Sequence, residues 1–296
     1  MPYFACDECN VSSLVEEVIE QVATPKKRVN WLALLDTAFD VEGTPLRSIA
    51  PSVRLYKQGK LEALRGVSPA LYQLPLDDDA FLKKALTALL RHASGRPMLS
   101  FISSRLNAEQ LARQFQDVLE VRTSDQQAFV LRLADTRALP AIGLAFDAQH
   151  WARITRHIEC WMIVSRRAML EPLRLADRVA SDEPDGEPIV LSDVELDRLL
   201  ALGQPDALVQ SLYENFPDLL PGKHRADFHQ LMADVCQFGL RHRISAFPEL
   251  MALAVAVAAT SSQLLHHPGL CHWLDARAWS EGQFEDGLAQ FMEITG

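Results

Sequence analysis

Apolar positions along the chain change period several times, and each change marks a new element. Leu14, Val15, Val18, Ile19 and Val22 recur at three- and four-residue spacing and predict an amphipathic helix within Val11 to Ala23. Pro25-Lys-Lys-Arg28 breaks that pattern, so residues 1–24 read as a tail and a helix. Strands are then predicted at about 30–36, 52–56, 98–103, 117–123, 128–133 and 160–165. Helices are predicted between them at about 78–93, 106–116, 137–157 and 167–179. Such alternation implies a mixed α/β lobe over 25–180, without fixing its strand order. Ser181 to Pro188 holds two prolines, one glycine and four acids and predicts an acidic linker over 181–190.

Beyond the linker only helical periods remain, so 191–296 is expected to be an all-α lobe. Ser192-Asp-Val-Glu195 is a capping box, in which each side chain satisfies a free backbone N–H of the helix start. Pro205 is expected to open a second helix. His224 to Leu240 sets Phe228, Leu231, Met232, Val235 and Phe238 on one stripe. Pro248 to Thr260 is apolar nearly all round and should form the buried centre of the lobe. The expected fold class is therefore α/β: an N-terminal mixed α/β lobe followed by an all-α C-terminal lobe.

Composition narrows the function classes. The chain has 296 residues, 48% of them hydrophobic and 23% charged, as in a soluble globular protein. A formal net charge of −10 argues against nucleic acid or an anionic membrane surface as partner. The N-terminus lacks a basic stretch followed by an apolar core, so no secretory signal is expected. The longest apolar run, Leu250 to Ala259, is far short of the roughly 20 residues a membrane span needs. Five cysteines is an odd number, and reduced thiols in a cytoplasm fit better than a disulfide framework. From Ser181 to Leu220 ten acids stand against Arg198 alone. That run is either a solvated face or a docking face for a basic partner.

Few residues carry a chemical signature. Phe129 to Pro140 reads as an alternating strand running into a helix start, with Arg132, Asp135 and Arg137 at the junction. Asp135 or Thr136 can cap that helix. Charges there are costly to bury unpaired, so they should pair with each other or with backbone. These three are candidate site residues, acting as a structural ion-pair network or as a partner contact. Cys6-Asp-Glu-Cys9 has the gap of a zinc knuckle or redox pair, but the second pair is missing and no strand precedes it. His224 and His229 do not share a helix face, and His266, His267, Cys271 and His272 could gather metal ligands only on a loop. Asp77-Asp-Asp79 suits a helix start better than a metal site. There is no G-x-S-x-G elbow and no phosphate-binding loop. No catalytic residue, metal or cofactor is expected.

The junction also resembles the "hRFxDpR" signature of adaptor chaperones of the bacterial type VI secretion system, the Tap/Tec family, first catalogued as a domain of unknown function. Four further stretches are similar to family landmarks in the same order. These are Trp31 to Ala38, ending in Asp-x-Ala; Val67 to Leu74; Met98 to Ser104; and Leu106 to Leu119. The resemblance thereby adds Asp36 to Arg132, Asp135 and Arg137 as the one group of candidate site residues, a structural ion-pair network or a partner contact. The likeness spans roughly 29–165. One departure is Ala134, where an aromatic residue commonly precedes the signature Asp. The resemblance implies a cytoplasmic adaptor that binds a toxin effector and helps load it onto a VgrG-type spike protein, with partner-specific recognition in the helical lobe. The alternatives are an enzyme, transferase or hydrolase, with a site between the lobes, and a generic protein-interaction module.

Overall fold

A computed structural model describes residues 2–23, 29–40, 46, 50–57, 59–176, 187–260, 262–277, 279 and 283–295. The chain divides into two compact units. The first takes in residues 6–201, and the second joins Pro2–Ala5 to Leu202–Gly296. The N-terminal half is mixed α/β and the C-terminal half is helical.

The first unit begins with α1 (Val11–Ala23), β1 (Asn30–Leu35), β2 (Ser52–Arg54), β3 (Ala70–Gln73) and α2 (Asp79–Ala93). It continues through β4 (Leu99–Ser104), α3 (Ala108–Leu119), β5 (Glu120–Thr123), β6 (Ala128–Val130), α4 (Ala138–Ala145) and α5 (Ala148–Thr155). β7 (Ile158–Val164), β8 (Leu170–Pro172) and β9 (Ile189–Leu191) complete its strands. Six strands form an antiparallel sheet in the order β2-β3-β1-β4-β7-β8.

The central strands β1, β4 and β7 are largely buried because both their faces are covered, β4 even at Ser100, Ser103 and Ser104. Along β1, Leu32 and Leu34 enter one core with α3, α4 and α5, while Trp31, Ala33 and Leu35 enter another with α1 and α2. β7 divides in the same way: Trp161 and Ile163 on the first side, Met162 and Val164 on the second. Strand alternation thus partitions one apolar run between two layers of helices. A smaller sheet, β6-β5-β9, pairs β5 antiparallel with β6 and parallel with β9.

Several elements differ from the sequence expectation for local reasons. The single helix expected over 137–157 is two, because the Asp147 carboxylate accepts the N–H groups of Gln149 and His150 and starts α5 afresh. Instead of a helix from 167, the chain turns with Ala168 at φ +54° and forms β8 on the sheet edge, where Pro172 is tolerated. Val118 and Leu119 close α3 and do not open β5. The ladder expected over 128–133 stops at Val130, and Phe129 is exposed while Leu131 and Leu133 are buried. Most of the acidic linker, 181–186, lies outside the described residues, as does the end of the helix expected over 167–179. Its end differs from a linker: Ile189 and Leu191 are buried beside Val121 as part of β9.

The unit boundary falls between Ala201 and Leu202, inside α6 (Asp193–Asn215). Pro205 sits within that helix instead of opening a new one. The second unit holds α7 (Arg225–Arg241), α8 (Phe247–Ala259), α9 (Pro268–Asp275) and α10 (Phe284–Thr295). α8 lies at its core, with Leu250, Leu253, Ala254 and Val257 buried. α7 comes so close to α8 that a Cβ on Gly239 would stand 2.5 Å from Leu250 Cδ2. The N-terminal residues complete this core. Ala5 is fully buried in it, the Tyr3 ring meets Phe228 edge-on at 6.4 Å, and the Tyr3 hydroxyl donates to the Pro221 carbonyl at 3.3 Å. Among the described residues, no helix is long and apolar enough to cross a membrane.

Candidate functional site

The four residues singled out in the sequence come together in the first unit. Asp36 directly follows β1, whose last five side chains are buried, so its carboxyl arrives in the interior at that strand's end. Its N–H donates to the Met98 carbonyl at 2.8 Å, and its Oδ1 accepts the Ala38 N–H at 3.0 Å. The Arg132–Arg137 turn is fixed to the same strand end, where the Thr136 N–H donates to the Pro97 carbonyl at 3.0 Å. Asp135 Oδ1 accepts the Arg137 N–H at 2.9 Å, a local turn that leads into α4.

Arg132 bridges the two carboxylates, Nη2 to Asp36 Oδ2 at 2.8 Å and Nη1 to Asp135 Oδ2 at 3.1 Å. Arg137 grips Asp135 with two prongs, Nε to Oδ1 at 3.1 Å and Nη2 to Oδ2 at 2.9 Å. Such forked pairs are among the stronger charge-assisted hydrogen bonds. Both carboxylates are only 2% exposed, whereas the Arg132 side chain is 43% exposed. The Phe39 ring lies beneath both guanidinium groups, 5.0 Å from that of Arg132 and 5.3 Å from that of Arg137.

The two carboxyls are held in opposite ways. Burial raises the Asp36 pKa, and the charge of Arg132 does not fully offset it. Burial also acts on Asp135, but the hydrogen bonds and charge of Arg137, with the charge of Arg132, outweigh it and lower the pKa. Nearby, burial and the Asp36 carboxyl push the Tyr56 phenol up to about 12. Chemically, the network neutralises its own charge, ties two distant segments together and leaves the Arg132 side chain partly exposed.

Sequence reasoning missed Phe39 and Tyr56. It also missed Arg54, whose Nη1 donates to Thr37 Oγ1 at 2.9 Å and to the Ser68 carbonyl at 2.8 Å. Nothing in the spacing signals these, because each is brought in by the pairing of β1, β2 and β3.

The other candidates resolve into structural roles. Asp78 caps α2 by accepting the Phe81 N–H at 2.9 Å. All five cysteines are free thiols, and burial raises the pKa of Cys9, away from a reactive thiolate. Among the described residues, the one group of three with metal-ligand geometry is Asp147, His150 and Glu195. Neither the cysteines nor the late histidines belong to it. Its atoms already serve two helix starts. Glu195 Oε1 accepts the Asp147 N–H at 2.9 Å and lies 2.7 Å from His150 Nδ1, while Oε2 accepts the Ser192 N–H at 2.9 Å and hydroxyl at 2.8 Å. Burial would raise the Glu195 pKa, but these donors lower it. Two helix N-termini pointing at one spot favour an anion over a cation. The Ser192–Glu195 box was legible in the sequence; its reach to Asp147 and His150 was not.

These features define the first unit as a three-layer α/β lobe bolted at one strand end by paired carboxylates and arginines. A family model described as "Domain of unknown function (DUF4123)" matches residues 31–153, a span that contains Asp36, Arg132, Asp135 and Arg137. No curated protein and no solved structure matches the chain.

Proposed function

We propose that the chain is an adaptor that binds a toxin effector of a bacterial type VI secretion system in the cytoplasm and helps load it onto a VgrG-type spike. The observation that carries this reading is the family match over 31–153, enclosing the Asp36–Arg132–Asp135–Arg137 network. The resemblance of the Phe129–Pro140 junction and its four companion motifs to the Tap/Tec adaptors gives that match a function. On this reading the chain performs no catalytic step, and it binds neither nucleic acid nor membrane. The α/β lobe carries the features shared with other adaptors, and the helical unit, outside the matched span, carries recognition of the particular cargo. The test is co-expression with each toxin gene neighbouring a spike gene in the source genome, followed by size exclusion. The adaptor reading expects one effector to co-elute and to gain soluble yield. Separate elution of every candidate would sink it.

A further inference from the structure

Near its start the chain passes from one unit to the other within a single peptide link. Pro2–Ala5 belong to the helical unit, and the α/β unit takes the chain up at Cys6. Both sides of that link are anchored. On the α/β side Cys6 is 3% exposed, the Asp7 N–H donates to the Arg166 carbonyl at 2.8 Å, and the Cys9 N–H donates to Ser94 Oγ at 2.9 Å. On the helical side Ala5 is fully buried in the core. Tyr3 meets the Phe228 ring and the Pro221 carbonyl, and the Arg225 guanidinium lies 5.6 Å over its own ring.

The chain bends at the crossing, and the bend falls on the wrong kind of residue. Ala5 stands at φ +50°, in the left-handed region that L side chains avoid and glycine enters freely. The result is a short arm, seated in a unit other than the one it runs on into, and joined to it by a strained hinge. Strained short hinges favour exchange of the arm between copies.

The energetics are simple because the seat cannot tell its own arm from another. Every contact that Tyr3 and Ala5 make within one chain can be remade by the same residues of a second copy, so the contacts cancel. Two effects remain. A short tether gives the chain's own arm an effective concentration of roughly 1 mM, which favours the monomer. Opening the hinge to negative φ releases its strain, which favours exchange.

We propose that the chain dimerises by reciprocal exchange of Pro2–Ala5, each copy seating Tyr3 and Ala5 in the helical unit of the other. The second copy is the occupant for which the seat is already shaped. Reciprocal exchange is a closed twofold contact, so assembly stops at two. The inference goes beyond the adaptor reading and stands independently of it, since it needs no cargo.

The test refolds the full chain from urea as an equal mixture of ordinary and heavy-isotope copies, at about 10 μM and about 500 μM, below and near the effective concentration of the tethered arm. Pro2→p-benzoylphenylalanine, at an exposed position, supplies a photo-crosslinker beside the seat and leaves Tyr3 intact. Size exclusion should show monomer at the lower concentration and a dimer fraction at the higher. In the dimer, about half of the crosslinks from position 2 to the helical unit should join an ordinary chain to a heavy one, as random pairing across a twofold requires. Ala5→Gly relaxes the bent hinge, so the dimerisation constant should fall about fivefold for each hinge, roughly 25-fold for the pair.

Chains that stay monomeric at both concentrations overturn the proposal. So does a dimer whose crosslinks never join an ordinary chain to a heavy one, because that dimer uses another surface. A dimer that Ala5→Gly leaves equally populated also overturns it, because the hinge then drives nothing.

Discussion

At the residue scale, two buried aspartates in one network differ in what they need. Asp135 is stabilised as the anion, so Asp135→Asn should cost about 2–3 kcal/mol, below the ~3–5 kcal/mol of a fully buried broken pair because Arg132 reaches solvent. Asp36 is already displaced toward its neutral form, so Asp36→Asn should cost less, about 1 kcal/mol. Urea denaturation at neutral pH ranks the two, and an equal cost would mean that the two carboxylates are held alike. The pH dependences should also run in opposite directions. The pKa of Asp135 is lowered, so its contribution is present above the ordinary carboxylate pKa of ~3.9 and fades as pH falls through the folded value. The pKa of Asp36 is raised, so its contribution is full below ~3.9 and fades as pH rises through the folded value. The penalty of Asp135→Asn should therefore hold from pH 7 to about pH 4 and shrink only below it, while that of Asp36→Asn should grow as pH falls from 7 to 4. Arg132, Asp135 and Arg137 were legible because they lie within one turn of chain. Asp36, 96 residues from Arg132, was legible only through a family resemblance, and Phe39 and Tyr56 not at all.

At the scale of elements, a single carboxylate joins two helix starts. Glu195 closes the capping box of α6 and also takes the N–H that opens α5. Glu195→Ala removes one cap, worth about 1 kcal/mol, and strands the buried His150 and the Asp147 N–H, worth about 1–3 kcal/mol more. Ser192→Ala should lose only the first of these. A chemical-denaturation comparison in which the two variants match would show that the reach to α5 contributes nothing. The helices that sequence reading placed well, α1, α2 and α7, have strong periodicity and clear ends. It failed where tertiary pairing decided. The β8 and β9 strands are three residues each, too short for a period, and exist because β7 and β5 offer them a ladder. The break at Asp147 was readable in principle, since aspartate is a favoured N-cap, but the apolar period runs through it.

At the scale of the whole molecule, the division into a mixed lobe and a helical one was legible from the switch of apolar period, but its boundary was not. Composition pointed to the acid-rich 181–190, whereas compactness places the division at Ala201 and returns Pro2–Ala5 to the far unit. No local property of Tyr3 or Ala5 announces that they belong with residues 200 positions away. Tyr3→Ala in the full chain should therefore lower the stability of the helical unit by about 1–2 kcal/mol, through lost ring burial and the bond to Pro221. Hydrogen exchange in α7 and α8 would register it, and unchanged protection there would refute it. A domain in space and a stretch of gene are here different objects. An expression fragment opening at codon 193 would translate every helix of this unit in full yet omit the plug that fills its core. Any transfer of this helical unit to another chain would have to graft two separate pieces of sequence, the first only four residues long.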